Sequence, residues 1–318
     1  MSQPLHGVAA LLSNLKGSDY LSSADFKADE TLAILELALQ LKSGKRRIDL
    51  GNRVLGLIFT KASTRTRVSF QVAMTRLGGQ TVDLNPQVTQ LGRGEPLKDT
   101  ARVLSRFCDV LAIRTYDQQE LVEYAKWSSI PVVNALTDLE HPCQALADFL
   151  TMQEEFGPLE GQTLAYVGDG NNVANSLMLC GALLGVNVKI ASPKGFEPSV
   201  DIVQRSRAFA KSRSFIQVSN DPIETVKGAQ AVYTDVWASM GQESEQIERV
   251  KAFKDFCLDE NLMNKASKEA IVLHCLPAHR GEEITEAVLE SKASRIFDQA
   301  ENRLHVQQAL LAALLGGL

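Results

Sequence analysis

Cysteine is scarce in this chain and follows no paired pattern: there are five, Cys108, Cys143, Cys180, Cys257 and Cys275, with no C-x-x-C spacing. An odd number without close pairs excludes a disulfide framework and a zinc knuckle, and leaves reduced thiols. Four of them read as small buried apolar residues, while Cys275 has neighbours that give it a second reading below. Long apolar runs are missing too, since no stretch approaches the roughly 20 residues a membrane-spanning helix requires. The opening MSQPLHGVAALLSNLKGSDY lacks a basic stretch followed by a long apolar one, so the expectation is a cytoplasmic protein. Positive charge is not in excess. With 33 Lys and Arg against 38 Asp and Glu the formal net charge is −5, which argues against a nucleic-acid partner. There is no internal repeat and no low-complexity tract.

What is present suits a soluble α/β protein. Hydrophobic residues make up 45% and charged residues 22%, and 318 residues exceed the size at which one core stops growing, so two domains are expected. From Val54 onward, apolar runs alternate with amphipathic stretches. VLGLIF, QTVDL, DVLAIR and IPVVNAL read as strands, separated by helices ending at Leu77, over Asp99 to Phe107 and over Gln118 to Ala125. A long helix from Pro142 to Phe156 stops at Gly157–Pro158. The scheme then repeats with QTLAYVGDG, VNVKIASP, FIQVSND, AQAVYTDVW, EAIVLHCLP and SRIFDQ as strand-like runs. Helices over Ala174 to Leu184 and Ile202 to Lys211 lie between the first of these, and a last amphipathic helix spans Glu301 to Leu315. The expected architecture is two tandem domains, each a parallel-sheet three-layer α/β/α sandwich. The first covers 1–150 plus the C-terminal helix 301–318, which packs back on it, and the second covers 151–300. Ligands of such sheets sit beyond the carboxyl ends of the strands.

Polar groups cluster at those ends. FTKASTRTR, residues 59–67, places Lys61, Arg65 and Arg67 among Ser63, Thr64 and Thr66 where a strand opens into a helix. Cations there oppose the helix macrodipole, so an anion such as phosphate belongs with them; a plain Ser or Thr N-cap with solvated arginines is the alternative. Arg114 closes DVLAIR, and His141, Pro142, Cys143 and Gln144 follow IPVVNAL, with Pro142 suited to a first helical position. A histidine so placed is a donor to a carbonyl oxygen or a structural residue. Arg93 and Lys98 lie on a Gly-bounded loop that covers a ligand or is merely solvated.

In the second half, VGDGNN joins a strand to a helix but carries Val173 at the third glycine position of a dinucleotide fingerprint. No acid closes the following strand, so a nicotinamide cofactor is not expected. Asn171 and Asn172 instead offer amides to a small polar substrate. DVWASMG leaves a strand with Asp235, a receiver for an ammonium group or a turn former, and HCLPAHR puts Cys275 and Leu276 directly after EAIVL.

Taken together these motifs resemble the transcarbamylases. STRTR, QLGRGEPLKDTARVLSR, Arg114, HPCQ, GDGNN, DVWASMG, HCLPAHR and ENRLH occur in that family's order over nearly the whole chain, and DVWASMG with HCLP points to the ornithine branch. The resemblance implies a metal- and cofactor-independent enzyme that moves the carbamoyl group of carbamoyl phosphate to the δ-amine of L-ornithine. It implies carbamoyl phosphate on the first domain through Ser63, Thr64, Arg65, Thr66, Arg114, His141 and Gln144, with Arg303 closing from the C-terminal helix and Cys275 and Leu276 near the reacting atoms. Gln90 comes from a neighbouring subunit of a homotrimer. Ornithine lies on the second domain through Asn172, Asp235, Ser239 and Met240, and Arg114, His141 and Cys275 take the catalytic roles. A transcarbamylase for another amine, such as putrescine or an acylated ornithine, and a non-catalytic anion-binding relative are the alternatives.

Overall fold

The structure, a computed structural model, describes residues 5–85, 94–210, 214–238 and 246–318. The chain divides into two units, Met1–Leu150 with Asn302–Leu318, and Thr151–Glu301. In the first, β1 (Val54–Phe59), β2 (Gln80–Leu84), β3 (Val110–Arg114) and β4 (Val132–Leu136) form an all-parallel sheet in the order β2-β1-β3-β4. In the second, β5 (Thr163–Val167), β6 (Asn187–Ala191), β7 (Ile216–Ser219), β8 (Ala231–Thr234) and β9 (Ile271–Leu273) form another, in the order β7-β6-β5-β8-β9.

Sequence and position in the sheet agree. The inner strands VLGLIF, VLAIR and TLAYV are almost wholly buried, because helices cover both faces of a parallel sheet. QTVDL is polar because β2 is an edge strand, with three of its five residues exposed. Tyr20 covers the opposite edge: its N–H donates to the Val132 carbonyl and its carbonyl accepts from the Asn134 N–H, both at 2.8 Å.

The helix Pro142–Phe156 has the bounds expected from its pattern. SRIFDQ does not form the strand its apolar pair suggests. Ser294 alone bridges to Val272 at the edge of β9, and from Ile296 the chain enters a 20-residue helix, Ile296–Leu315. Two apolar residues cannot fix a strand when Ala300 to Leu315 supplies continuous helical spacing with Val306, Ala309, Leu310 and Ala313 buried. Residues from Asn302 onward belong to the first unit, where the Leu314 carbonyl accepts from the Gly17 N–H at 2.9 Å.

Each sheet contains one place where strand order reverses. The chain goes outward from β1 to β2 and returns to β3 on the other side of β1. It likewise goes outward from β5 through β6 to β7 and returns to β8. The connections then leave the shared edge in opposite directions and open a crevice at the carboxyl ends. STRTR follows β1 and Arg114 ends β3, while GDGNN follows β5 and Asp235 follows β8.

Gly170 in GDGNN has a packing reason. A Cβ there lies 2.2 Å from the Pro198 nitrogen and 2.4 Å from the Glu197 carbonyl carbon, because the Gly170 N–H donates to the Phe196 carbonyl at 2.8 Å. Gly170→Ala therefore forces backbone apart. It should cost about 1–3 kcal/mol and lower Tm by roughly 2–10 °C in a calorimetric scan; an unchanged Tm contradicts this packing.

Candidate active site

In the first unit the helix Arg65–Arg76 starts at Thr64, whose side chain makes no capping hydrogen bond. The Ser or Thr N-cap alternative thus does not describe Thr64, and the first-turn N–H groups gain no partner from it. Ser63 is half-buried, Thr64 and Arg65 are exposed, and Thr66 is buried. The Thr66 hydroxyl accepts from Arg303 Nη2 at 2.5 Å, which joins the C-terminal helix to the first turn of this one.

The three cations of the motif do not all converge. Lys61 pairs with Asp138 and lies 4.0 Å from the centre of the Tyr116 ring. Arg67 pairs with Asp83 and lies over Phe59. Two of the three are thus offset by carboxylates that no local pattern announces. Of the motif's cations, only Arg65 contributes to the charge around His141, where it joins Arg303 and Arg114.

That convergence is visible at His141, which is 4% exposed. Burial, and then the positive charges of Arg303, Arg114 and Arg65, hold its ring well below the ordinary imidazole range. A neutral ring keeps one N–H donor and one acceptor. Its loop is braced, since the buried Glu140 carboxylate accepts from Ser22 Oγ at 2.6 Å and from the Ser23 N–H at 2.8 Å. Gln144 donates to Asp148 Oδ1 at 2.8 Å, and its buried Oε1 has no partner among the described residues. Cys143 is inert, its thiol pushed up to about 12 by burial against the pull of Arg303.

The second unit gathers a different set. Asp235 is 5% exposed, with Asn171 Nδ2 donating to one carboxylate oxygen at 2.8 Å and the Cys275 thiol donating to the other at 3.0 Å. Asn171 also caps the helix Asn172–Leu184, accepting from the N–H groups of Val173 at 2.9 Å and Ala174 at 3.2 Å. Its amide therefore holds the structure and is not the substrate amide anticipated for it; Asn172 is the first helical residue. Tyr166 is fully buried, and burial, with the negative charges led by Asp235, raises its phenol well above the usual range. It stays protonated and donates to Asn171 Oδ1 at 3.4 Å.

Leu276 has a φ of 59°, a left-handed conformation that a branched side chain rarely adopts. Its N–H donates to His274 Nδ1 at 2.8 Å, and His274 Nε2 bonds Glu283 Oε1 at 3.1 Å. With both ring nitrogens engaged, His274 braces the turn. Asp235, His274 and Cys275 present metal-type atoms within 4.8 Å of one another, but that imidazole has no nitrogen left for an ion.

Residues 18–154 match the carbamoyl-P binding domain of aspartate/ornithine carbamoyltransferase, and residues 160–314 match the Asp/Orn binding domain of the same proteins. The chain belongs to the aspartate/ornithine carbamoyltransferase family. It is similar to the ornithine carbamoyltransferase of Parasynechococcus marenigrum, with 74% identity over the full length of both chains. It is equally similar to that of Prochlorococcus marinus, with 74% identity over 98% of each. Among solved structures, it is similar to the ornithine carbamoyltransferase from Gloeobacter violaceus, at 51% identity and a TM-score of 0.87 over 95% of this chain and 99% of that one. The ornithine carbamoyltransferase from Pyrococcus furiosus matches at 47% identity and a TM-score of 0.91, over 96% of this chain and 99% of that one.

Within this family member, the anticipated residues fall into two sets. Ser63, Thr64, Arg65, Thr66, Arg114, His141, Gln144 and Arg303 lie in the first unit, and Asn172, Asp235, Cys275 and Leu276 in the second. Gln90, Arg93, Ser239 and Met240 lie outside the described residues. Lys98 is exposed. Sequence reasoning missed Asp169, Tyr166, Arg249 and the His274–Glu283 pair. Asp169 and Tyr166 stood in view beside GDGNN, whereas Arg249 carries no motif.

His141 supplies a pH prediction. Its folded-state pKa lies below the unfolded value, so the unfolded chain takes up the proton first and stability falls as pH drops below about 6.5. Denaturant melts at pH 7 and pH 5 should show a smaller loss for His141→Gln than for the wild type. Equal losses contradict a depressed imidazole.

Proposed function

We propose that the enzyme transfers the carbamoyl group of carbamoyl phosphate to the δ-amine of L-ornithine, giving L-citrulline and phosphate. The observation that carries this reading is the neutral, buried His141 in the field of three guanidiniums, a site ready for a dianion. In this reading the phosphate lies against Ser63, Thr64, Arg65 and Thr66 at the helix start, with Arg303 beside it. Because Thr66 already accepts from Arg303, its own O–H is left to donate. Arg114 and the His141 N–H face the carbamoyl oxygen, and the open acceptor of Gln144 suits the carbamoyl –NH2.

On the second unit, Asp235 receives the ornithine α-ammonium, with Asn172, Ser239 and Met240 completing that half-site. Attack by the uncharged δ-amine forms the new C–N bond and places negative charge on the carbonyl oxygen, where Arg114, His141 and Thr66 stabilise it. Collapse breaks the C–O bond to phosphate, and the proton lost by the amine ends on the departing phosphate. Cys275 donates to Asp235 as a thiol, so it holds that carboxylate in place, while the Leu276 carbonyl orients the amine by accepting a hydrogen bond from its N–H before the proton passes to phosphate. Positioning the two substrates supplies much of the acceleration, without metal or other cofactor.

The reading extends to a cytoplasmic homotrimer in which Gln90 completes a neighbour's carbamoyl phosphate site. Family resemblance supports the trimer. No helix among the described residues is long and apolar enough to cross a membrane.

A ureido-product assay with ornithine, putrescine, aspartate and N-acetylornithine side by side tests the assignment: ornithine should lead, and a preference for an amine lacking a free α-amino group overturns it. Arg65→Ala should lower kcat/KM by about 10²–10³-fold, and near-normal turnover contradicts the phosphate site. Asp235→Asn should raise the ornithine KM far more than the carbamoyl phosphate KM. Equal rises count against this division of roles.

A further inference from the structure

Arg249 sits in the helix Gln246–Ala252, outside every motif that points to carbamoyl transfer, yet it is 6% exposed. Long cationic side chains are rarely buried so deeply without partners, and Arg249 has three kinds. Its Nη1 lies 3.0 Å from Asp169 Oδ2, an ion pair in which both members are nearly sealed from water. The same nitrogen donates to the Trp237 carbonyl at 2.8 Å. The guanidinium carbon lies 5.0 Å from the centre of the Phe196 ring. Asp169 follows β5, Phe196 follows β6 and Trp237 follows β8, so one side chain ties together the loops at the carboxyl ends of three adjacent strands.

The consequence reaches the carboxylate. Asn171 is two residues beyond Asp169, and Asp235 is two residues before Trp237; these two bond each other at 2.8 Å. Both arms of the Asn171–Asp235 contact are therefore anchored, two residues away, on the same guanidinium. The third loop is held as well, since Phe196 carries the carbonyl that takes the Gly170 N–H at 2.8 Å. A misplacement of an ångström at a binding carboxylate weakens a charge-assisted contact severely.

We propose that Arg249 is a positioning residue for the amino-acid substrate: by clamping Asp169, Trp237 and Phe196 it fixes Asp235 in the orientation that receives the α-ammonium. The proposal rests on the reading of the second unit as the ornithine half-site. In this role Arg249 acts through Asp235 rather than on the substrate or the reacting atoms. Both polar contacts come from the one nitrogen Nη1, so what lysine lacks is the planar guanidinium that lies over the Phe196 ring while that nitrogen serves Asp169 and Trp237.

The test uses the intact enzyme and four variants, Arg249→Lys, Arg249→Met, Asp169→Asn and the double variant Asp169→Asn/Arg249→Met. Steady-state KM and kcat are measured for both substrates, with Tm and calorimetric binding of carbamoyl phosphate alongside. Arg249→Met should raise the ornithine KM by at least about tenfold with carbamoyl phosphate binding within about twofold of wild type, and Arg249→Lys should recover only part of the loss. Each single neutralisation breaks this buried ion pair and should lower Tm. The double variant removes both charges, so its Tm should return toward wild type. Its ornithine KM should stay raised, because Trp237 and Phe196 still lack their partner. That split separates positioning from mere stability. Recovery of the ornithine KM together with Tm, or parallel rises in both substrates' KM, overturns the proposal. If Arg249→Met does not fold, Arg249→Lys and the double variant still decide it. If the wild type itself makes no citrulline from ornithine, the assignment of function fails instead, and the variants show this by having no ornithine KM to compare.

Discussion

The structure depends on one topological constraint, met twice: a parallel sheet whose chain runs outward from one strand and comes back to its other side must leave a gap between two departing loops. Between β1 and β3 that gap is filled by the STRTR turn and the end of DVLAIR, and between β5 and β8 by GDGNN and Asp235. Backbone groups at such ends have no strand partners, so charged side chains and helix starts collect there without disturbing the sheet. Chemistry and fold are thus separable. The buried inner strands carry the stability, and the residues just beyond them carry the charge.

The two gaps hold opposite signs. In the first unit burial, and then the charges of Arg303, Arg114 and Arg65, keep one imidazole neutral, so His141 offers a hydrogen bond without adding a fourth positive charge. In the second, Asp235 is fixed by an amide and a thiol and keeps its acceptor character. Opposite charge in the two gaps is the basis on which the proposed assignment places a dianionic donor against the first unit and the ammonium of an acceptor against the second.

Much of this was legible in the sequence because it is local. Apolar runs set between amphipathic stretches gave all nine strand positions found among the described residues, and helical spacing gave the bounds of Pro142–Phe156. Strand-end polar motifs led to His141, Arg114 and Asp235. What escaped is non-local. Lys61 and Arg67 looked like anion ligands because Asp138 lies 77 residues and Asp83 16 residues away. Asn171 looked like a substrate amide because its bond to Asp235 spans 64 residues. Arg249 was silent, since a lone arginine on a helix reads as solvated until the fold brings Asp169 and Phe196 against it. SRIFDQ failed for another reason: two apolar residues suit either a strand or a helix start, and only the packing of the following 20-residue helix decides.

The central claim is that positive charge converges on a neutral His141, and the nitrogen chemical shifts of that ring test it most directly. Followed by NMR across pH in the free enzyme, the ring should stay neutral well below pH 6.5. With carbamoyl phosphate or inorganic phosphate bound, the anion offsets the guanidiniums and protonation should move upward. An imidazole that titrates near its ordinary value in the free enzyme, and does not respond to the anion, contradicts the account.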